Sequence, residues 1–193
     1  MGPRKRTPRS GVLGPPRLNM TLAELNAKDR MTFVEAIGWV FEDSPWVAER
    51  TWDKRPFATL EALHDTMVSV VAAATRGEQL AILRAHPDLG ALRLAADQMS
   101  PASQREQAGA GLDALRRGDL DRLRALNAAY REKFGFPFLY AVKGSTTADI
   151  LNALERRLTS VRDAEHQEAL RQVYRIARFR LEETVSQSSQ EIL

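Results

Sequence analysis

Apolar positions along this chain recur at spacings of three and four residues, the period of a helix with one buried face. Proline, glycine and short polar runs cut the pattern into separate elements. Thr21 starts the first turn, with Glu24 as its capping-box partner. From Thr32, the residues Phe33, Ile37, Val40 and Phe41 make the next stripe, which Pro45 ends within Glu42-Asp43-Ser44-Pro45-Trp46. Ser44 is placed to cap the following helix, with Pro45 at its first position. Trp39, Trp46 and Trp52 gather at this corner and read as core residues. After Pro56, Thr59 caps a helix whose stripe is Leu60, Leu63, Met67, Val70, Val71 and Ala74. His64 lies beside that stripe, in a structural position. Gly77 separates it from a helix with Leu80, Ile82 and Leu83, which runs into Ala85-His86-Pro87-Asp88-Leu89-Gly90.

Residues 87–99 read as a connecting loop with a helical turn in it. Ser100-Pro101 carries the cap-then-proline mark of a helix start. Ser103, Glu106 and Gln107 then fall on one helix face. A second capping box explains Ser103 and Glu106 but leaves Gln107 unexplained. Two glycines in Ala108-Gly109-Ala110-Gly111 cost a helix about 1 kcal/mol each. Close approach of another backbone, or of a ligand, is the usual compensation. Gly118 opens a helix with Leu120, Leu123, Asn127, Tyr130 and Phe134 on one face, and Gly135 stops it. Phe136 to Val142 is apolar, proline-containing and extended. Its backbone groups need partners, which buried side chains or a small planar heterocycle with amide edges would both provide. Thr147 begins a helix with Ile150, Leu151, Leu154 and Leu158. The last helix runs from about Asp163, with Leu170, Val173, Tyr174, Ala177 and Leu181 inward, and fades near Val185. His166, among acids near its start, is expected to face solvent. Arg180 lies next to the apolar face and, if buried, requires an anion or carbonyl partner.

The pattern defines an all-α, single-domain bundle of about eight helices with one short extended apolar segment. The domain is expected over 20–185, with a tail at 186–193. At 193 residues, one core is large enough to need no disulfide, and the chain has no cysteine. Cysteine nucleophiles and thiolate metal sites are thereby excluded. No apolar run suits a membrane span, and the basic start lacks a signal peptide's apolar centre, so a cytoplasmic protein is expected.

Charge refines this picture. The formal net charge is +3, but Arg4, Lys5, Arg6, Arg9 and Arg17 all lie in residues 1–19, without an acid. Removing these five from 28 basic residues leaves 23 against 25 acidic ones, so the body is mildly acidic. The Pro-, Gly- and Arg-rich tail at 1–19 is expected to be disordered. A helical nucleic-acid or partner-binding module working through that tail is the alternative to an enzyme. It would lose binding steeply with salt, and the acidic body with no basic helix counts against it. No metal-ligand spacing, phosphate loop or nucleophile elbow appears.

Candidate chemistry centres on His86. The following proline pushes it out of the helical region, so it should end its helix with its ring aimed away from the helix surface. Unpaired carbonyls at a helix end favour the protonated ring by about 0.3–1 kcal/mol. Four stretches together carry a family resemblance: Glu42-Asp43-Ser44-Pro45-Trp46, His86-Pro87-Asp88-Leu89-Gly90, Ser103-x-x-Glu106-Gln107-Ala108-Gly109-Ala110-Gly111-Leu112 and Asn127-x-x-Tyr130-x-x-Lys133-Phe134-Gly135-Phe136-Pro137-Phe138. Over roughly Leu22 to Leu181 the chain resembles the OHCU decarboxylases of urate breakdown (OHCU is 2-oxo-4-hydroxy-4-carboxy-5-ureidoimidazoline).

The resemblance implies a cofactor-free all-α enzyme, commonly a homodimer, that converts a small ureido-imidazoline to (S)-allantoin and carbon dioxide. It implies a catalytic role for His86, an acidic partner in Glu106 and a late arginine in Arg180. Substrate contacts are implied at Pro87, at Ser103, Gln104, Arg105, Glu106 and Gln107, and at Phe138, Leu139, Tyr140, Ala141 and Val142. Tyr140 stands where family members usually carry a smaller aliphatic residue. The chemistry is self-consistent: the substrate's C=N bond serves as the electron sink that other decarboxylases borrow from a cofactor.

Overall fold

A computed structural model describes residues 20–91 and 99–187. The basic tail at 1–19, most of the loop expected to hold a helical turn, and residues 188–193 lie outside them. Among the described residues there are nine helices: α1 (Leu22–Ala27), α2 (Arg30–Ile37), α3 (Trp46–Trp52), α4 (Leu60–Ala72), α5 (Arg76–Ala85), α6 (Pro101–Gly109), α7 (Arg117–Phe134), α8 (Thr147–Leu158) and α9 (Arg162–Thr184). The all-α reading holds, with one addition. Two short strands, β1 (Met20–Thr21) and β2 (Val185–Ser186), pair in parallel and join the start of the domain to the end of α9.

The long α9 organises the bundle. Ala169, Leu170, Val173, Ala177 and Leu181 are buried along it, and it packs against α4, α5 and α7. The cap readings at Thr21, Thr59 and Ser100 hold: each side chain accepts a backbone N–H of its helix's first turn. Gly135 ends α7 with φ 81°.

Several local expectations are corrected. Ser44 does not cap α3; Pro45 takes that position and Ser44 is buried beneath the turn. Gly77 lies inside α5, because Thr75 starts that helix with a full capping box to Glu78, which a glycine has no side chain to make. Gly118 likewise lies in the first turn of α7, behind Arg116. No other protein atom packs closely on Gly109, which faces a cavity, and Gly111 falls past the end of α6 with φ 71°, so neither glycine answers a close approach of another backbone. The three tryptophans are only partly buried; arginines cover two of them, with Arg50 4.3 Å from the Trp46 ring centroid and Arg55 4.0 Å from that of Trp52.

His166 is the largest departure. It is fully buried rather than solvent-facing. Gln79 spends its amide N–H groups on the carbonyls of Val71 and Ala72, so its Oε1 accepts from His166 Nε2 at 2.9 Å. The acids around it in sequence gave no hint of this link between α9, α5 and the end of α4. His64, as expected, is structural: its ring meets the Tyr174 carbonyl at 2.9 Å.

Candidate active site

His86 ends α5 in an extended conformation, φ −76° and ψ 142°, as the following proline requires. Its ring does not point away from the helix, however. Nδ1 folds back to the Ile82 carbonyl at 2.8 Å. A carbonyl only accepts, so Nδ1 carries the proton and Nε2 presents its lone pair on the far side of the ring. Nε2 is buried and has no hydrogen-bond partner among the described residues. The expected preference for the protonated ring is overturned. Burial first, and then the nearby Arg180 charge, hold His86 below the usual histidine range. Those two effects outweigh Glu42, the helix carbonyl and Glu106, which all pull the other way. His86 is therefore a neutral imidazole with a free acceptor nitrogen.

The loop after His86 is clamped by polar side chains. Gln107 Nε2 donates to the Asp88 carbonyl at 3.0 Å, and Gln107 Oε1 accepts from the Gly90 amide at 2.9 Å. Asn127 Nδ2 donates to the Leu89 carbonyl at 2.9 Å, and Arg131 reaches the Asp88 carboxylate at 3.0 Å. Gly90 has φ 83°, and a Cβ there would lie 2.9 Å from Leu123. The glutamine that capping left unexplained, and the asparagine on an otherwise apolar face, both hold this loop.

Helix α6 supplies the acidic side. Glu106 is not part of a capping box, since Ser100 caps the helix. Arg180 grips it sideways, with Nε to Oε1 at 2.7 Å and Nη2 to Oε2 at 3.0 Å. Nη2 also donates to Ser103 Oγ at 3.2 Å. Nη1 donates to the Val40 carbonyl at 3.3 Å and pairs with Glu42 at 2.9 Å. All five guanidinium N–H groups thus have acceptors, which meets the requirement set for a buried arginine. Glu42 was quoted in the sequence only as part of a motif. Its signal was an acid just before a helix break, in a chain with an arginine needing an anion.

The apolar segment forms the opposite wall and is held from behind. Gln172 Oε1 accepts from the Ala141 amide at 3.0 Å, and Arg157 donates to the Leu139 carbonyl at 2.6 Å. Arg157 also pairs at 2.5 Å with the buried Glu165, which accepts from the Tyr130 hydroxyl. Side chains therefore satisfy part of this backbone, and no periodicity in the sequence announced Glu165, Arg157 or Gln172.

These walls enclose a cavity of about 610 Å³. His86, Pro87, Ser103, Arg105, Glu106, Gln107 and the whole run from Phe138 to Val142 line it. Gln104 and Arg180 do not line it. Gln104 turns its amide to the Met99 carbonyl at 3.1 Å, and Arg180 lies behind Glu106 and Ser103. Trp39 and Phe179, not named from the sequence as site residues, also face the cavity. Among the described residues no group of three His, Asp or Glu could hold a metal ion, and no helix is long and apolar enough to cross a membrane.

An all-helical domain that gathers a histidine, a carboxylate and a strip of main chain around one cavity has the layout of an acid–base enzyme acting on a small molecule. Comparison with known proteins gives the class a family. The OHCU decarboxylase family model matches residues 26–182, and the chain belongs to that family. A 2-oxo-4-hydroxy-4-carboxy-5-ureidoimidazoline decarboxylase of Halalkalicoccus jeotgali is 45% identical over 164 residues, 85% of this chain and 91% of its own. The uric acid degradation bifunctional protein PucL of Bacillus subtilis is 43% identical over 170 residues, 88% of this chain and 34% of that one. A crystal structure of (S)-allantoin synthase superposes with a TM-score of 0.69 at 28% identity, covering 86% of this chain and 54% of that one.

Proposed function

We propose that this protein decarboxylates OHCU to (S)-allantoin in urate degradation, with His86 as the proton carrier. One observation carries the assignment of roles: His86, whose Nε2 is buried and unpaired, lines the same cavity as Glu106 and the Phe138–Val142 segment. As the carboxylate leaves, its bonding electron pair forms a double bond to the neighbouring ring carbon, the C=N π pair moves onto the ring nitrogen, and that nitrogen takes a proton from water. His86 Nε2 accepts the substrate hydroxyl proton as that oxygen becomes a carbonyl. The resulting imidazolium returns the proton to the neighbouring carbon, on one face only. A positioned acid–base group of this kind contributes roughly 10²–10⁴-fold.

Glu106 accepts a hydrogen bond from the substrate, and Arg180 fixes the orientation of its carboxylate. Arg180 does not grip the leaving carboxylate, because its donors are already spent and it stands off the cavity. That arrangement is favourable for rate, since pairing the leaving charge would stabilise the ground state. Phe138 to Val142 border the ring and ureido groups. The working form is taken to be a homodimer, as the resemblance implies, and sedimentation of the purified chain reads its assembly. Circular dichroism with freshly generated OHCU tests the reaction itself. Wild-type protein should accelerate OHCU loss and yield optically active allantoin, whereas racemic product at the uncatalysed rate would refute the assignment.

A further inference from the structure

Glu42 is a buried carboxylate that the decarboxylation scheme does not use. It is 6% exposed and does not line the cavity. It sits where the chain turns between α2 and α3, next to Asp43 with φ 45°. Ser103 Oγ donates to its Oε2 at 3.1 Å, the Ser100 hydroxyl also reaches it, and Arg180 Nη1 lies 2.9 Å from it. Burying a carboxylate costs several kcal/mol unless partners offset the lost hydration. Burial alone would raise its pKa, yet the Arg180 charge and then the Ser100 hydroxyl bring it below the usual carboxylate range, so it is an anion.

Arg180 thus has two counter-anions on different sides. Glu106 takes the Nε edge and reaches the cavity; Glu42 takes Nη1 within the wall. With Glu106 alone, the arginine and the cavity carboxylate would cancel. With Glu42 added, the three groups carry one net negative charge. We propose that Glu42 is a positioning residue, the wall-side counter-anion that shares Arg180 with Glu106 and so leaves negative charge facing the reacting end of the cavity.

The charged groups facing His86 are Arg180 from α9, Glu106 from α6 and Glu42 from the turn after α2; its own α5 adds the Ile82 carbonyl. Removing the Glu42 charge leaves Arg180 less compensated, so His86 must lose affinity for its proton. The prediction rests on the reading of His86 as the proton acceptor only for its kinetic readout. In Glu42→Gln, the acidic limb of the kcat pH profile should move to lower pH by roughly one unit, a tenfold change in proton affinity. At neutral pH, kcat should fall more than KM rises, because a weaker base is a poorer catalyst. A change that only loosened packing would lower the whole profile without moving its limb.

The His86 imidazole titration by NMR, assigned by its loss in His86→Asn, reads the same shift without any turnover. If His86→Asn turns over normally, the catalytic reading fails while this titration still decides the role of Glu42. An unmoved titration in folded Glu42→Gln, or one moved to higher pH, overturns the proposal. Glu42→Asp keeps the charge and should retain the wild-type limb, with kcat within about tenfold. If Glu42→Gln does not fold, Glu42→Asp decides alone: a retained limb and turnover support the proposal, and a moved limb or lost turnover overturns it.

Discussion

Gln107 and Gly90 are joined by a single hydrogen bond of 2.9 Å, from the glycine amide to the side-chain carbonyl, and the same side chain holds Asp88 at 3.0 Å. This link ties the loop that leaves His86 to the helix that carries Glu106. Gln107→Leu strips the buried Gly90 amide and the half-buried Asp88 carbonyl of their partner, and a fully buried group left so costs about 1–3 kcal/mol. The variant should lose stability in that range in urea melts and should lose activity in parallel, as the two halves of the site drift apart.

His86→Asn should keep the helical signal of the wild type, because the change falls at a helix end. Its turnover should fall by roughly 10²–10⁴-fold. The allantoin formed should be racemic, since the proton is then delivered by water to either face. Polarimetry or circular dichroism of the product checks this directly.

Stability should also depend on pH in a definite direction. His86 and His166 are both held below the ordinary value of 6.5, chiefly by burial. The unfolded chain therefore binds protons at these positions before the native state does. Their contribution is fully present above that value and is lost as pH falls below it through the folded-state pKa of each. Thermal melts should show Tm dropping from pH 7 to pH 5, and His86→Asn should flatten part of that drop. Glu42, lowered from 4.5, acts in the same direction but only further into acid.

Arg180→Lys should behave as a severe change. A lysine has three donors on a point charge and cannot reproduce five contacts in a planar fork. Glu42 is 6% exposed and would be left partly unpaired. Breaking a buried pair costs about 3–5 kcal/mol, and part of that range should appear in equilibrium unfolding. kcat should fall as Glu106 loses its fixed orientation.

Gln172→Leu tests the opposite wall. Its side-chain carbonyl accepts from the Ala141 amide, and Gln172 does not line the cavity. Freed from that bond, the segment should seat the ligand less well. KM should rise several-fold while kcat stays closer to wild type, as expected when uniform binding is lost.

Much of the helical frame was legible because its caps and apolar spacing are local. Thr59, Ser100 and Gly135 mark their ends through contacts within a few residues. The site was legible at His86, whose proline dictates its backbone, and at Arg180, whose position demanded a partner. What escaped was set by contacts between distant segments. His166 looks like a surface histidine among acids until Gln79, on another helix, meets it in the core. Glu165, an ordinary acid in a first turn, is buried against Arg157 and Tyr130. The preference of His86 for its neutral form depends on burial and on Arg180, neither of which is visible from a helix-end argument.

The bare Nε2 of His86 also dictates how inhibitors should rank. Any compound that seals the pocket without offering an O–H or N–H at that nitrogen strands a buried acceptor, at about 1–3 kcal/mol. Among otherwise matched ring analogues, those bearing a hydroxyl at that position should therefore bind roughly 5- to 150-fold more tightly than their deoxy counterparts. A medicinal chemist would build outward from that one atom.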